Sequence, residues 1–266
     1  MREILEKLAN GRITIDEAEK ALRINVVEQV ANVAKLDVSR ETRRGVPEIV
    51  LAEGKLTDDL LKICSRMIEK NGRVIVSRVD QSQFACLEDN FGDGHEIVRF
   101  PHARSVVIRK RGVFKTKSGG KVGIITAGTV DLAVAEEAMM IAEEMGCETL
   151  VEADAGVAGI HRIIEPLRRM IENDIDCLIV VAGREGALPT VVAGLVDLPL
   201  IAVPSSSGYG YGGHGEAALM AMLQACSLGL AVVNIDSGIA AGVVAAQIAN
   251  RVANARNSAA APSRKP

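Results

Sequence analysis

Residues 121–156 read KVGIITAGTVDLAVAEEAMMIAEEMGCETLVEADAG, and this stretch decides the fold. Two short apolar runs, KVGIITAG (121–128) and CETLVEADAG (147–156), flank DLAVAEEAMMIAEEMG (131–146), where apolar residues recur at helical spacing. A nearly continuous apolar run suits a strand buried on both faces, and two such strands joined by a helix make a parallel pair. The rhythm then repeats. Strands IDCLIVVAG (175–183), LPLIAVPSS (198–206) and GLAVVNID (229–236) alternate with further helical segments. These are HRIIEPLRRMIEN (161–173), ALPTVVAGLV (187–196), GEAALMAMLQACS (215–227) and AAGVVAAQIANRVANA (240–255). Five strands separated by helices predict right-handed crossovers and an α/β, three-layer, doubly wound parallel sheet.

Outward from this core the pattern loosens. Residues 1–9 and 16–34 have helical periodicity on either side of an Asn10-Gly11 turn. The strand EIVLAEG (48–54), the helix TDDLLKICSRMIEKNG (57–72) and the strand RVIVSRV (73–79) follow, and NFGDGHEIVRF (90–100) reads as irregular. KTKSGG (115–120) is flexible punctuation and the best boundary. The expected organisation is a smaller mixed α+β domain over 1–118, the parallel-sheet domain over 119–254, and a frayed, disordered tail over 255–266.

Composition bounds the function. Aromatics make up 2% of the chain and Trp is absent, so the core must be aliphatic. A net charge of −3 argues against bulk nucleic-acid binding, which needs a basic face. Five cysteines without a CxxC pair suit a reducing, cytoplasmic setting, and no apolar run suggests a signal core or a membrane span. Four scattered histidines lack zinc-site spacing, and neither GxGxxG nor GxxxxGK[ST] occurs.

In a doubly wound sheet, ligands bind outside the carboxyl ends of the strands. Those ends carry Thr126–Asp131, Asp154-Ala155-Gly156, Gly183-Arg184-Glu185-Gly186, Pro204–Gly210 and Asn234–Gly238. Small residues ahead of a helix let backbone N–H groups approach an anion, although βα loops also need Gly and Ser merely to turn. Several such loops at one edge, with His161, Arg162, Arg184 and Glu185, make a polar crevice. The run SSSGYGYGGHG (205–215) is its best phosphate cradle. His161 and His214 also fit as simple helix-start residues, and Glu185 as a surface partner of Arg184. Cys226, near the end of an apolar helix, fits as a small core residue as well as a nucleophile. The carboxyl end of a helix disfavours a thiolate, but a cationic substrate would favour one.

These motifs carry a resemblance. TAGTVDLAVAEEA, DAGVAGIHR and AGREGALPTVVAGLVDLPLIAVP follow the order of PurE-type aminoimidazole ribonucleotide carboxylases and mutases. GREGALP, PSSSGYGYGG, LQACSLGLAVVNIDSGIAAG and the upstream ETRRGVPEIVLAEGKLTDDLL resemble the LarB family more narrowly. The resemblance implies a PurE-like (flavodoxin-like) catalytic domain that acts in nickel-pincer nucleotide synthesis. The implied reaction carboxylates nicotinic acid adenine dinucleotide (deamido-NAD) at pyridinium C5 with CO2 as co-substrate, and cleaves the phosphoanhydride. Its products are AMP and pyridinium-3,5-biscarboxylic acid mononucleotide. The resemblance places the covalent nucleophile at Cys226 and a functional glutamate at Glu185, to which an acid–base role is assigned.

By the same resemblance Gly128, Thr129 and Asp131 hold ribose or phosphate, with Asp154, His161, Arg162 and Arg184 in the crevice. Ser205, Ser206, Ser207, Tyr209 and Gly210 are expected to cover the pyrophosphate. Mg2+ would bind through substrate oxygens, with no protein ligands and no tightly bound organic cofactor. Analogy with PurE also implies a homo-octamer, with the Ala/Gly-rich helix 239–253 packing between subunits. Arg44, Glu48 and Lys55 either reach the substrate or form a solvated face. The alternatives are an aminoimidazole ribonucleotide carboxylase or mutase, which needs no cysteine, and a non-catalytic nucleotide sensor.

Overall fold

The computed structural model describes residues 2–23, 28–30, 34–113 and 115–260. They divide into two compact units. One takes in the described residues through Arg99 together with Arg104–Val113, and the other Phe100–Ala103 with the described residues beyond Val113.

The first unit contains α1 (Arg2–Ala9), α2 (Ile15–Arg23), β1 (Glu28–Val30), β2 (Ala34–Leu36), α3 (Arg40–Arg44) and β3 (Ile49–Leu51). Beyond these come α4 (Thr57–Asn71), β4 (Arg73–Ser77), α5 (Gln81–Phe91), β5 (His95–Phe100) and β6 (Ser105–Lys110). Its main sheet has the order β3-β4-β6-β5. The helix expected over 16–34 ends instead at Arg23, and β1 pairs antiparallel with β2, Glu28 opposite Leu36. Val30 and Leu36 are drawn into the core around α4, and that packing outweighs local helical periodicity. The stretch expected to be irregular, 90–100, holds the end of α5 and all of β5. A capping box starts α5: the Asp80 carboxylate accepts from the Gln83 N–H, and the Gln83 side chain accepts from the Asp80 N–H.

The second unit runs β7 (Lys121–Thr126), α6 (Leu132–Glu144), β8 (Glu148–Glu152), α7 (His161–Glu172) and β9 (Cys177–Ala182). It continues with α8 (Ala187–Ala193), β10 (Leu200–Pro204), α9 (Glu216–Leu223), β11 (Leu230–Val232) and α10 (Gly238–Ala260). All its strand pairs are parallel, in the order β11-β10-β9-β7-β8. Numbered within this sheet the order is 2-1-3-4-5, the flavodoxin-like arrangement, which changes direction between β7 and β9. β9 and β10 are buried along their whole length, as their continuous apolar runs require.

One sheet face packs Ile163, Leu167, Met170, Leu188 and Met222 from α7, α8 and α9. The other lies under α6 and α10. The Ala/Gly face of α10 is used within the chain: Ala241, Ala245, Ala249 and Ala253 are buried, and a Cβ on Gly242 would lie 2.6 Å from the Ala138 carbonyl of α6. Residues 255–260, expected to belong to a frayed tail, continue α10 through Ala260, and 261–266 lie outside the described residues. Arg256 explains part of that order, since its guanidinium lies 2.9 Å from the carboxylate of Asp176, a side chain 4% exposed. KTKSGG likewise belongs to the second unit, where the Ser118 N–H donates to the Gly146 carbonyl at 2.9 Å. Among the described residues, no helix is long and apolar enough to cross a membrane.

Candidate active site

A cavity of about 520 Å³ opens at the carboxyl edge of the parallel sheet, where β7 and β9 send their loops apart. That volume accommodates a nucleotide-sized ligand. Loops from four strands line it. β7 contributes Gly128, Val130 and Asp131, β8 contributes Gly156–Ala158, β9 contributes Arg184 and Glu185, and β10 contributes Ser207 and Tyr209. Because each helix runs back from this edge, the amino ends of α6, α7 and α9 point toward it, a field that favours phosphate.

Small residues allow the loops to meet. A Cβ on Gly183 would sit 2.5 Å from Ser207 Oγ, so only glycine lets the third loop lie this close to the fourth. Asp131 fastens the first loop to the fourth. Its side chain accepts from the Gly128 N–H at 3.0 Å and from the Ser207 hydroxyl at 2.8 Å, and the residue is 3% exposed. These two hydrogen bonds tie the first and fourth loops together at the rim. The Arg184 guanidinium lies 4.3 Å from the centre of the Tyr209 ring, a cation–π contact at the mouth. Arg184 itself has φ 52°, and Asp154, His214 and Asp236 also have left-handed backbones. This edge therefore stores conformational strain, as binding loops often do.

Six of the residues expected from sequence line this cavity: Gly128, Asp131, Arg184, Glu185, Ser207 and Tyr209. Seven lie at the same edge without lining it. Thr129 is exposed in the turn before α6. Asp154 and Arg162 pair with each other at 3.5 Å, and His161 begins α7 exposed. Ser205 is buried with its hydroxyl accepting from the Ser207 N–H, Ser206 donates its N–H to Asp236, and Gly210 turns the loop in open space. Sequence reasoning missed the apolar wall of Val130, Val157 and Leu188, whose only signal was adjacency to the polar loop residues. It also missed Asp236 as the anchor of Ser206.

Cys226 lies elsewhere. The helix expected to carry it ends at Leu223, and the residue sits exposed in the loop that leads into β11. Its neighbour Ser227 donates to the Thr190 carbonyl at 2.8 Å, and Gly229 accepts from the Leu200 N–H. These contacts fix the loop at the amino edge of the sheet. Within one chain, Cys226 and Glu185 therefore occupy opposite edges of the parallel sheet, and the cavity is lined by Glu185 and not by Cys226.

Three of the other cysteines, Cys64, Cys147 and Cys177, are buried. Burial pushes the thiols of Cys64 and Cys177 up to about 12 and that of Cys147 up to about 11, so at neutral pH they are poor nucleophiles. Cys86 is half-buried on α5. In the first unit, Asp37, Arg40, Arg43 and Glu48 form an ion-pair cluster. Desolvation raises the Glu48 carboxyl despite Arg40 at 2.8 Å, while the hydrogen bond from Arg43 lowers Asp37. Arg44 is exposed and Lys55 half-buried. Among the described residues, no group of three His, Cys, Asp or Glu side chains is placed to hold a metal ion.

Comparison with known proteins matches this architecture. A family model described as the LarB/PurE-like N-terminal domain matches residues 27–110, and one described as AIR carboxylase matches residues 121–263. An uncharacterized protein of Methanocaldococcus jannaschii is 43% identical over 251 residues, covering 94% of this chain and 96% of its own. The N5-carboxyaminoimidazole ribonucleotide mutase of the same organism is 35% identical over 127 residues, covering 47% of this chain and 76% of its own. That of Pyrococcus horikoshii is 32% identical over 128 residues, covering 48% and 71%. With an amino-terminal match joined to a carboxylase-type sheet domain, the chain belongs to the LarB family and carries a PurE-like C-terminal domain.

Proposed function

We propose that this protein carboxylates the pyridinium ring of deamido-NAD at C5 and hydrolyses its phosphoanhydride, yielding AMP and pyridinium-3,5-biscarboxylic acid mononucleotide. The observation that carries the reading is Glu185, a carboxylate on the cavity wall with no hydrogen bond or ion pair among the described residues. A carboxylate free of partners can attract a cationic ring and accept a proton from it. The amino-terminal match over 27–110 supports a LarB substrate, since the mutase relatives align with only about half of the chain.

The chemistry needs a nucleophile, because a pyridinium ring is electron-poor and does not attack CO2. Thiolate addition at C4 forms a C–S bond and leaves an enamine across C5 and C6. C5 then attacks CO2, forming the new C–C bond and an iminium. Glu185 takes the C5 proton, the ring nitrogen's electron pair expels the thiolate, and aromaticity returns. Cys226 is assigned the thiolate, since it is exposed whereas Cys64, Cys147 and Cys177 are buried and held protonated. The helix amino ends and the 205–210 loop suit the pyrophosphate, and the Arg184–Tyr209 pair offers a flat stacking surface. Mg2+ fits as an ion carried on substrate phosphate oxygens and neutralising their charge.

Incubation with deamido-NAD, Mg2+ and 13C-bicarbonate, followed by mass spectrometry of small molecules, tests the reading. AMP together with a singly labelled dicarboxylated mononucleotide is expected. Unchanged deamido-NAD would overturn it.

A further inference from the structure

We infer that Tyr211 forms, with Tyr209, the seat for the adenine of the bound dinucleotide, a base-stacking site at the rim of the cavity. This rests on the reaction proposed above, whose substrate carries a second planar base besides the pyridinium. Glu185 takes the pyridinium end, and an adenine joined to it through a pyrophosphate must emerge elsewhere along the rim. The placement of the aromatic residues points to where. The chain has four Phe, two Tyr and no Trp. Phe91 and Phe100 are buried, and Phe84 packs partly buried against the core of the first unit. Beyond residue 114, Tyr209 and Tyr211 are the sole Phe, Tyr or Trp residues, and both are exposed, Tyr211 fully. A domain that builds its core without such rings, and holds both of its own in water at a cavity, presents them to a ligand.

The backbone sets Tyr211 out on a turn. The Gly213 N–H donates to the Gly210 carbonyl at 3.1 Å, so Tyr211 sits at the first corner of a four-residue turn. Gly210 has φ +85° and open space around it, whereas a Cβ on Gly212 would collide with that of Ala217 on α9. The turn is therefore seated on α9 at one side and unobstructed at the other. Tyr209 lines the cavity with the Arg184 guanidinium 4.3 Å from its ring centre, and the ring is otherwise open to solvent. Cα atoms two residues apart are separated by at most about 7 Å. That is twice the contact distance of about 3.5 Å between stacked atoms. Two rings so spaced admit one planar base between them. The pair suits adenine and not the pyridinium, because the guanidinium on Tyr209 repels a cationic ring and leaves a neutral one unopposed.

Titration with AMP and with ribose 5-phosphate, which lacks the base, tests the assignment. Because Trp is absent and Tyr209 and Tyr211 are the chain's two tyrosines, tyrosine emission reports on this loop alone. AMP should quench that emission in wild type, and ribose 5-phosphate should leave it unchanged. By calorimetry, Tyr211→Ala should bind AMP about 5- to 100-fold more weakly than wild type, the loss of one stacked base, and ribose 5-phosphate within about twofold. Tyr211→Phe should keep the wild-type affinity for AMP, since the ring and not the hydroxyl stacks. Absence of AMP binding, equal AMP affinity in wild type and Tyr211→Ala, or an equal loss for both ligands would overturn the assignment. Turnover of deamido-NAD by wild type alongside any of these results would leave the proposed reaction standing. Tyr211-dependent AMP binding without such turnover would keep the base site and remove the reaction.

Discussion

Gly186 opens α8 directly after Glu185, and replacing it tests how the site loop is held. Its φ is +65°, and a Cβ there would lie 2.7 Å from the Ala218 carbonyl oxygen and 2.8 Å from the Ala218 Cα. Both are backbone atoms of α9 and cannot rotate away. Gly186→Ala therefore meets two penalties. The left-handed backbone costs about 1 kcal/mol for a residue with a Cβ. Displacing a packed helix backbone adds about 1–3 kcal/mol. Gly210→Ala separates the two, since Gly210 has φ +85° and nothing within 4 Å of a new Cβ. Urea unfolding followed by circular dichroism should place Gly210→Ala about 1 kcal/mol below wild type, and Gly186→Ala about 2–4 kcal/mol below. Gly186→Ala should also lose turnover, because a shift of α8 against α9 moves Glu185. Equal destabilisation by the two variants would refute the packing argument and leave only backbone conformation.

Iodoacetamide on the native protein at pH 8 should label Cys226 ahead of Cys64, Cys147 and Cys177, all of which react once urea unfolds the chain; peptide mass mapping reads the order. The same burial sets an alkaline limit. These thiols are raised from an ordinary value of 9.0 to about 11–12, so the folded state keeps protons that the unfolded state releases. Their stabilising contribution is constant below pH 9 and is lost as pH rises through about 12, and the urea midpoint should fall across that window. Arg256→Ala should cost about 1–3 kcal/mol, because it strips a charged partner from buried Asp176. Glu185→Gln should lower kcat about 10²–10⁴-fold while leaving the affinity for deamido-NAD within a few-fold, as measured by calorimetry.

The parallel-sheet domain was legible because its central strands β7, β9 and β10 are buried on both faces. Runs such as CLIVVA (177–182) have no helical reading of the right length, and the interposed helices have clear periodicity. The first unit was less legible. Glu28–Val30 and Ala34–Leu36 are three residues each, too short for any period to register, and tertiary packing decides them. Site residues at strand ends could be named from topology, and Arg184, Glu185, Ser207 and Tyr209 do line one cavity. Asp131 was expected to hold ligand and does line the cavity; that its carboxylate also fastens two loops only the fold reveals. The position of Cys226 was the harder lesson. Sequence fixes it before a strand, and a residue before a parallel strand lies at the amino edge, away from the binding crevice.

The most direct measurement is peptide mass mapping of the protein quenched with acid during turnover of deamido-NAD and bicarbonate. The proposed chemistry predicts a substrate-derived mass on the peptide containing Cys226, absent when CO2 and substrate are withheld and absent in Glu185-intact Cys226→Ser protein. Full turnover by Cys226→Ser, with no adduct on the wild-type peptide, would contradict covalent catalysis.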